Sequence, residues 1–139
     1  MIKWKSIFGL SFFIFLTVVS LLYPDDLPIV AVPGLKGTNV SQSVVSACRS
    51  LVETALIKTQ RFSVLSYTDI EKILAAQEFS LSDCTDEACA VEIGKLLAAE
   101  QIVVGEISGI GEKFILNLRL VDVATGRSLK AESIQINWV

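Results

Sequence analysis

Hydrophobic positions along this chain recur with a changing period, and each change marks an element. Residues 27–32, Leu-Pro-Ile-Val-Ala-Val, form a short apolar run bounded by Pro28 and Pro33-Gly34, the composition of a buried first strand. Residues 34–42 are polar and rich in Gly, Ser, Thr and Asn, which predicts a loop. Over 43–59, apolar residues fall at Val44, Val45, Cys48, Leu51, Val52, Ala55 and Leu56, a helical spacing with one wide stripe. Residues 61–66, Arg-Phe-Ser-Val-Leu-Ser, read as a second strand. Thr68-Asp-Ile-Glu71 matches a capping box opening a short helix with Ile70, Ile73 and Leu74 inward. After a linker at 79–83, Thr85 or Asp83 is expected to cap a third helix over 88–98. Asp86 and Glu87 would sit in its first turn, where the helix dipole favours acids.

The C-terminal third reads as strands. Residues 101–108 are apolar enough for burial on both faces, and Gly109-Ile-Gly111-Glu-Lys turns the chain. Residues 114–123 alternate, with Phe114, Leu116, Leu118 and Leu120 on a face expected to meet the long helix, and Asn117 and Arg119 on the other. Ala124-Thr-Gly126 makes a hairpin in which glycine supplies a positive φ. The last strand, 127–136, changes parity between Ala131 and Ile134, so a bulge is expected near Glu132 or Ser133. The order is βαβααβββ. The fold class is therefore α/β (α+β): a single domain over 27–137, its mixed sheet ending in antiparallel hairpins with helices packed on it.

The N-terminus adds a targeting segment. Lys3 and Lys5 precede an uncharged apolar run from Ile7 to Tyr23, which Pro24-Asp25-Asp26 ends. Residues 1–24 thus read as a signal peptide or an N-terminal membrane anchor, with the domain beyond them exported to the periplasm or cell envelope. Beyond Pro24 the 12 basic residues lose Lys3 and Lys5, leaving 10 against 15 acidic, a net charge of −5. Phosphate binding draws on clustered Lys and Arg, so nucleic acid is excluded as a partner.

Candidate chemistry is sparse. Cys84-x4-Cys89 in an exported chain reads as a local disulfide, worth about 2 kcal/mol on the chain-entropy model, with free thiols as the alternative. A metal site is disfavoured, because the chain has no histidine and only Cys48 besides this pair. Cys48 lies on the long helix's stripe as a small core residue. Gly34-Leu-Lys36-Gly37 departs from a phosphate loop, which needs four residues between its glycines and a lysine after them. Without histidine the commonest general base is missing, and no serine has a nucleophile setting. The chain is read as no enzyme, with no cofactor and no metal.

One stretch carries a resemblance: Cys84-Thr-Asp-Glu-Ala-Cys89-Ala-Val-Glu-Ile-Gly94, then Ile102-Val-Val-Gly105, then Leu118-Arg-Leu-Val-Asp-Val-Ala-Thr-Gly126. With the element order it resembles a small envelope α/β domain found in three places: CsgG-like curli-secretion factors, outer-membrane activators of peptidoglycan synthases, and the N-terminus of TolB. The resemblance implies a non-enzymatic interaction or assembly module. Its partners would be envelope proteins of secretion, wall synthesis or Tol-Pal, with self-association left open. The alternatives are an activator of a peptidoglycan synthase or a small ligand-binding domain. The chain departs from the channel and activator families in having no cysteine just after its apolar run, where a lipid would be attached. It also lacks segments long enough for membrane-spanning hairpins. The partner surface is expected on the acid-rich helical side, at Glu71, Glu87 and Glu92, or else on an open sheet edge.

Overall fold

Residues 101–110, the most apolar run of the C-terminal third, form the strand on which the others assemble. The computed structural model describes residues 26–81 and 86–137. Its elements are β1 (Ile29–Ala31), β2 (Lys36–Thr38), α1 (Gln42–Lys58), β3 (Ser63–Val64), α2 (Tyr67–Ala76), α3 (Glu87–Leu96), β4 (Gln101–Ile110), β5 (Lys113–Asp122) and β6 (Ser128–Asn137). The sheet order is β3-β1-β4-β5-β6, with β2 also paired to β4. The β1 pairings and the β2–β4 pairing are parallel, while β4–β5 and β5–β6 are antiparallel hairpin partners. The expectation of a mixed α+β sheet with C-terminal hairpins holds. Residues 1–24, read as signal or anchor, lie outside the described residues. Among the described residues no helix is long and apolar enough to cross a membrane.

The polar stretch read as a loop contains a strand. Val30 and Ala31 pair with Gln101 and Ile102, and Lys36, Gly37 and Thr38 pair with Glu106, Ile107 and Ser108. Five steps separate Ala31 from Lys36, against four from Ile102 to Glu106, so β1 and β2 are one strand interrupted by a single extra residue. Pro33 lies in the interruption, where its missing N–H is lost to no ladder. All three residues of β2 are exposed, so no hydrophobic pattern announces it. Its pairing rests on the backbone ladder and one polar side-chain contact, Thr38 to Glu106.

The sheet sits between two helical layers. Under α1 lie Val30, Val32 and Val103, packed by Val52, Leu56 and Leu120, and next to them Leu35, Val45, Ile107 and Leu116 with Val44 and Cys48. Leu118 touches both groups. On the other face Ala31, Ile102, Val121 and Val123 meet Ile70 and Leu74 of α2 and Ala90 and Ile93 of α3. Each large aliphatic taken fully from water contributes about 1.5–3 kcal/mol. The first half of β4 is buried on both faces because Ile102 and Val103 point into opposite clusters. The α1 stripe is narrower than its sequence suggests. Leu51 is 69% exposed and Ala55 is exposed as well, because each precedes a core residue by one position and is rotated about 100° from it.

Helix starts differ from their sequence signals by one or two residues. The cap of α2 is Ser66, whose Oγ accepts from the Asp69 amide at 3.2 Å and donates to Asp69 Oδ2 at 2.7 Å. It displaces the expected Thr68–Glu71 box, for Thr68 already lies inside the helix. Asp86 caps α3, its carboxylate accepting from the Cys89 amide at 2.8 Å, while Glu87 opens the first turn. Such a cap is worth about 1 kcal/mol.

The bulge in β6 also moves. Leu120 faces Lys130 but Val121 faces Ser128, which leaves Leu129 as the extra residue. The expected site at Glu132 or Ser133 is regular ladder. Ala131 is exposed like the rest of β6.

Candidate interaction surface

Two surfaces remain uncovered, and both result from strands longer than the helices that shield them. β4, β5 and β6 each run for 10 residues, while α2 and α3 cover only the half of their face nearest Gln101 and Asp122. The free half is a polar floor built of cross-strand pairs. Thr38 Oγ1 donates to Glu106 Oε1 at 2.6 Å and Ser108 Oγ reaches the same oxygen at 3.4 Å. On the next strands Ser133 Oγ and Asn117 Oδ1 lie 2.7 Å apart. Arg119 Nη1 meets Glu87 Oε1 of α3 at 3.2 Å, and Ser128 Oγ donates to that oxygen at 3.1 Å. An open cleft of about 1050 Å³ lies over this floor, walled by Pro33–Lys36, Tyr67 and the first turns of α3. Leu81 and Asp86, which flank the undescribed residues 82–85, both line it.

Two acids of this cleft are already engaged. The Thr38 hydroxyl, helped by Lys36 and Ser108, holds the exposed Glu106 carboxyl below its ordinary range. A carboxylate so stabilised is a poor general base at neutral pH. Glu87 is tied to Arg119 and Ser128. The arrangement presents hydrogen-bonding groups along the cleft floor. Among the described residues no group of His, Cys, Asp or Glu is placed to hold a metal.

The second surface is β6. All ten of its residues are exposed, and no strand beyond it joins the sheet among the described residues. Ile134 and Ile136 stand 47% and 49% exposed, backed by Leu116 and Phe114 across the ladder. They share the α1 face of the sheet but lie beyond the reach of α1. The change of parity was the sequence signal for this edge.

The residues singled out by sequence are scattered. Cys84 lies outside the described residues. Cys89 sits in the first turn of α3, half-buried against the α2–α3 core and with its sulfur engaged, while Cys48 is a half-buried free thiol on the sheet-facing side of α1. Glu71 and Glu92 are exposed on α2 and α3. Glu87 ties α3 to β5 and β6, and Glu71 is hydrogen-bonded to the Tyr67 hydroxyl.

An open sheet edge beside a polar cleft completes a small α+β domain. The chain matches the family of the curli production assembly/transport component CsgG over residues 31–115, more than half of its 139 residues, and it belongs to that family. Solved structures share the fold. The C-terminal domain of LpoB from Salmonella enterica is 18% identical, with a TM-score of 0.69 over 86% of this chain and 92% of that one. The lipoprotein GNA1162 from Neisseria meningitidis is 11% identical, with a TM-score of 0.64 over 79% of this chain and 80% of that one. TolB from Acinetobacter baumannii is 18% identical, with a TM-score of 0.52 over 82% of this chain but 24% of its own. No curated protein sequence matches the chain.

Proposed function

We propose that this chain is an exported, non-enzymatic envelope protein whose α+β domain acts as an interaction or assembly module of the curli-secretion type. Membership of the CsgG family over residues 31–115 is the observation that carries this reading. The hydrogen-bonded acids Glu87 and Glu106 in the cleft and the open β6 edge support binding over catalysis. Residues 1–24 would direct export as a cleaved signal or stay as an anchor. Cys84 and Cys89 would pair as a staple before α3, which peptide mapping after alkylation tests: a Cys48–Cys84 bridge would overturn it.

A second reading, activation of a peptidoglycan synthase, is supported by the coverage of the LpoB C-terminal domain. The deciding experiment joins two measurements. A reporter active only outside the cytoplasm, fused after Val139, should be active; activity of a cytoplasmic reporter alone would refute export. Purified domain added to a peptidoglycan synthase should leave its rate unchanged on the first reading and raise it on the second. Cross-linking in living cells should then retrieve secretion components on the first reading.

A further inference from the structure

We propose that the end of the domain where the chain enters β1 rests on a lipid bilayer, so that the membrane surface is its partner there. The inference rests on the anchor reading of residues 1–24 and goes beyond it, since an anchor alone does not say how the domain sits. Only Pro24 to Pro28 separate the apolar run, which ends at Tyr23, from Ile29 of β1. Five residues span at most about 18 Å, and the polar layer between hydrocarbon and water takes up about 6 Å of that. The near end is thus held within about 12 Å of the polar layer. From Gln101, beside the entry strand, β4 runs about 33 Å to Ile110, so the far end cannot reach the bilayer while the near end stands clear of it.

The topology collects apolar side chains at this end. Leu27 precedes β1, Ile57 lies in the last turn of α1, Leu96 ends α3 and Leu129 is the extra residue at the start of β6, all of them exposed. Register puts these elements together: β3, which follows α1, pairs Ser63 with Ile29, and β4, which follows α3, pairs Gln101 with Val30 and Asp122. Ser128 of β6 faces Val121, one residue before Asp122. Charge does not choose the bilayer. Lys58, Arg61, Lys95 and Arg127 are exposed at this end. Asp26, Glu78, Glu100 and Asp122 lie there too and balance them. Seating therefore draws on apolar contact, which is weak for a few half-exposed side chains and is made effective by the short tether. The flanks offer less, for α2 and α3 expose Glu71, Lys72 and Glu92, and Ile134 and Ile136 lie in the far half of the sheet. Seated this way, the cleft wall at Pro33–Lys36, which follows β1, stands away from the membrane and open to an envelope partner.

The full chain reconstituted in phosphatidylcholine vesicles tests this with single tryptophan reporters in a Trp4→Phe, Trp138→Phe background. Each reporter replaces an exposed side chain and should keep the background's Tm. Quenching by brominated lipid should be severalfold stronger for Leu96→Trp and Leu129→Trp, both remote from the tether in sequence, than for Ile110→Trp and Ile136→Trp at the far end. Inserting about 20 Gly/Ser residues between Asp26 and Leu27 should reduce the near-end quenching severalfold, because a long flexible linker dilutes one surface relative to the other. Near-end quenching no stronger than far-end quenching overturns the proposal and leaves the anchor reading standing. N-terminal sequencing of the protein extracted from cell membranes reads the anchor separately. A chain that still begins at Met1 keeps it, whereas one that begins near Pro24 refutes the anchor reading and the proposal with it.

Discussion

Gly94 of α3 rests directly on Val123 after β5: a Cβ at Gly94 would stand 2.5 Å from one γ-methyl, 3.1 Å from the other and 3.4 Å from the Val123 Cβ itself. Rotating a β-branched side chain cannot clear all three contacts. This is where α3 approaches the sheet most tightly. Gly94→Ala should therefore lower stability, although alanine gains about 1 kcal/mol over glycine inside a helix. Overpacking costs about 1–3 kcal/mol, so a net loss of about 1 kcal/mol is expected in urea denaturation. In a Val123→Ala background the same change should turn stabilising. A loss of the same size in both backgrounds would place its origin elsewhere.

The core makes a graded prediction. Ile102 is fully buried and Leu118 is half-buried between the two α1 clusters. Ile102→Ala should cost about 4 kcal/mol and Leu118→Ala about 2 kcal/mol, the low end for aliphatic truncation. If Leu118→Ala melts like the parent, β5 does not present this face to α1.

Among the acidic residues the structure separates Glu87 from Glu92. Glu87→Ala frees Arg119 and Ser128, yet both partners of the ion pair are more than a third exposed, so the loss should stay below about 1 kcal/mol. Glu92→Lys should leave Tm unchanged and weaken only a partner that docks on the helical side. If neither Glu92→Lys nor Glu71→Lys alters partner affinity, docking runs through the sheet edge.

Acid should loosen the β5–β6 turn. The Asp122 carboxyl accepts from the Thr125 hydroxyl and amide, both at 2.7 Å, and these bonds hold its pKa below the ordinary value. A carboxyl depressed in the folded state adds stability that is complete above its unfolded pKa and is lost as pH falls through the folded one. Tm measured from neutral pH downward should therefore drop more in the parent than in Asp122→Asn. Parallel curves would show that the turn does not depend on this charge.

Much of this architecture is written in side-chain patterns. The alternation of Phe114, Leu116, Leu118 and Leu120 places β5, and the spacing of Val45, Cys48, Val52 and Leu56 places α1, because both elements bury a face. What escaped was held by the backbone or by choices between equivalent groups. β2 is an exposed Lys-Gly-Thr paired to β4 through its peptide groups and the Thr38–Glu106 hydrogen bond, with no apolar pattern to announce it. Ser66 and Thr68 carry the same capping chemistry, and the end of β3 decides between them. The parity change in β6 was legible as a bulge, but Ala131 looked inward and drew it toward Ser133, when Leu129 was the residue left over. Glu87 reads as one more surface acid until β5 and β6 bring Arg119 and Ser128 beside it.

Placing β1 between β3 and β4 also sets the timing of folding. Val30 becomes buried only when Gln101, 71 residues later in the chain, has arrived beside it. Until then the described residues before β4 hold α1, α2, α3 and a two-residue pairing of β1 to β3, without the central strand on which the core closes. The loop entropy of that late contact must be met before the central strands reward it, so folding waits for nearly the whole chain. A chain threaded through a membrane from its N-terminus would emerge still extended and fold as a unit only once β4 and β5 had come through.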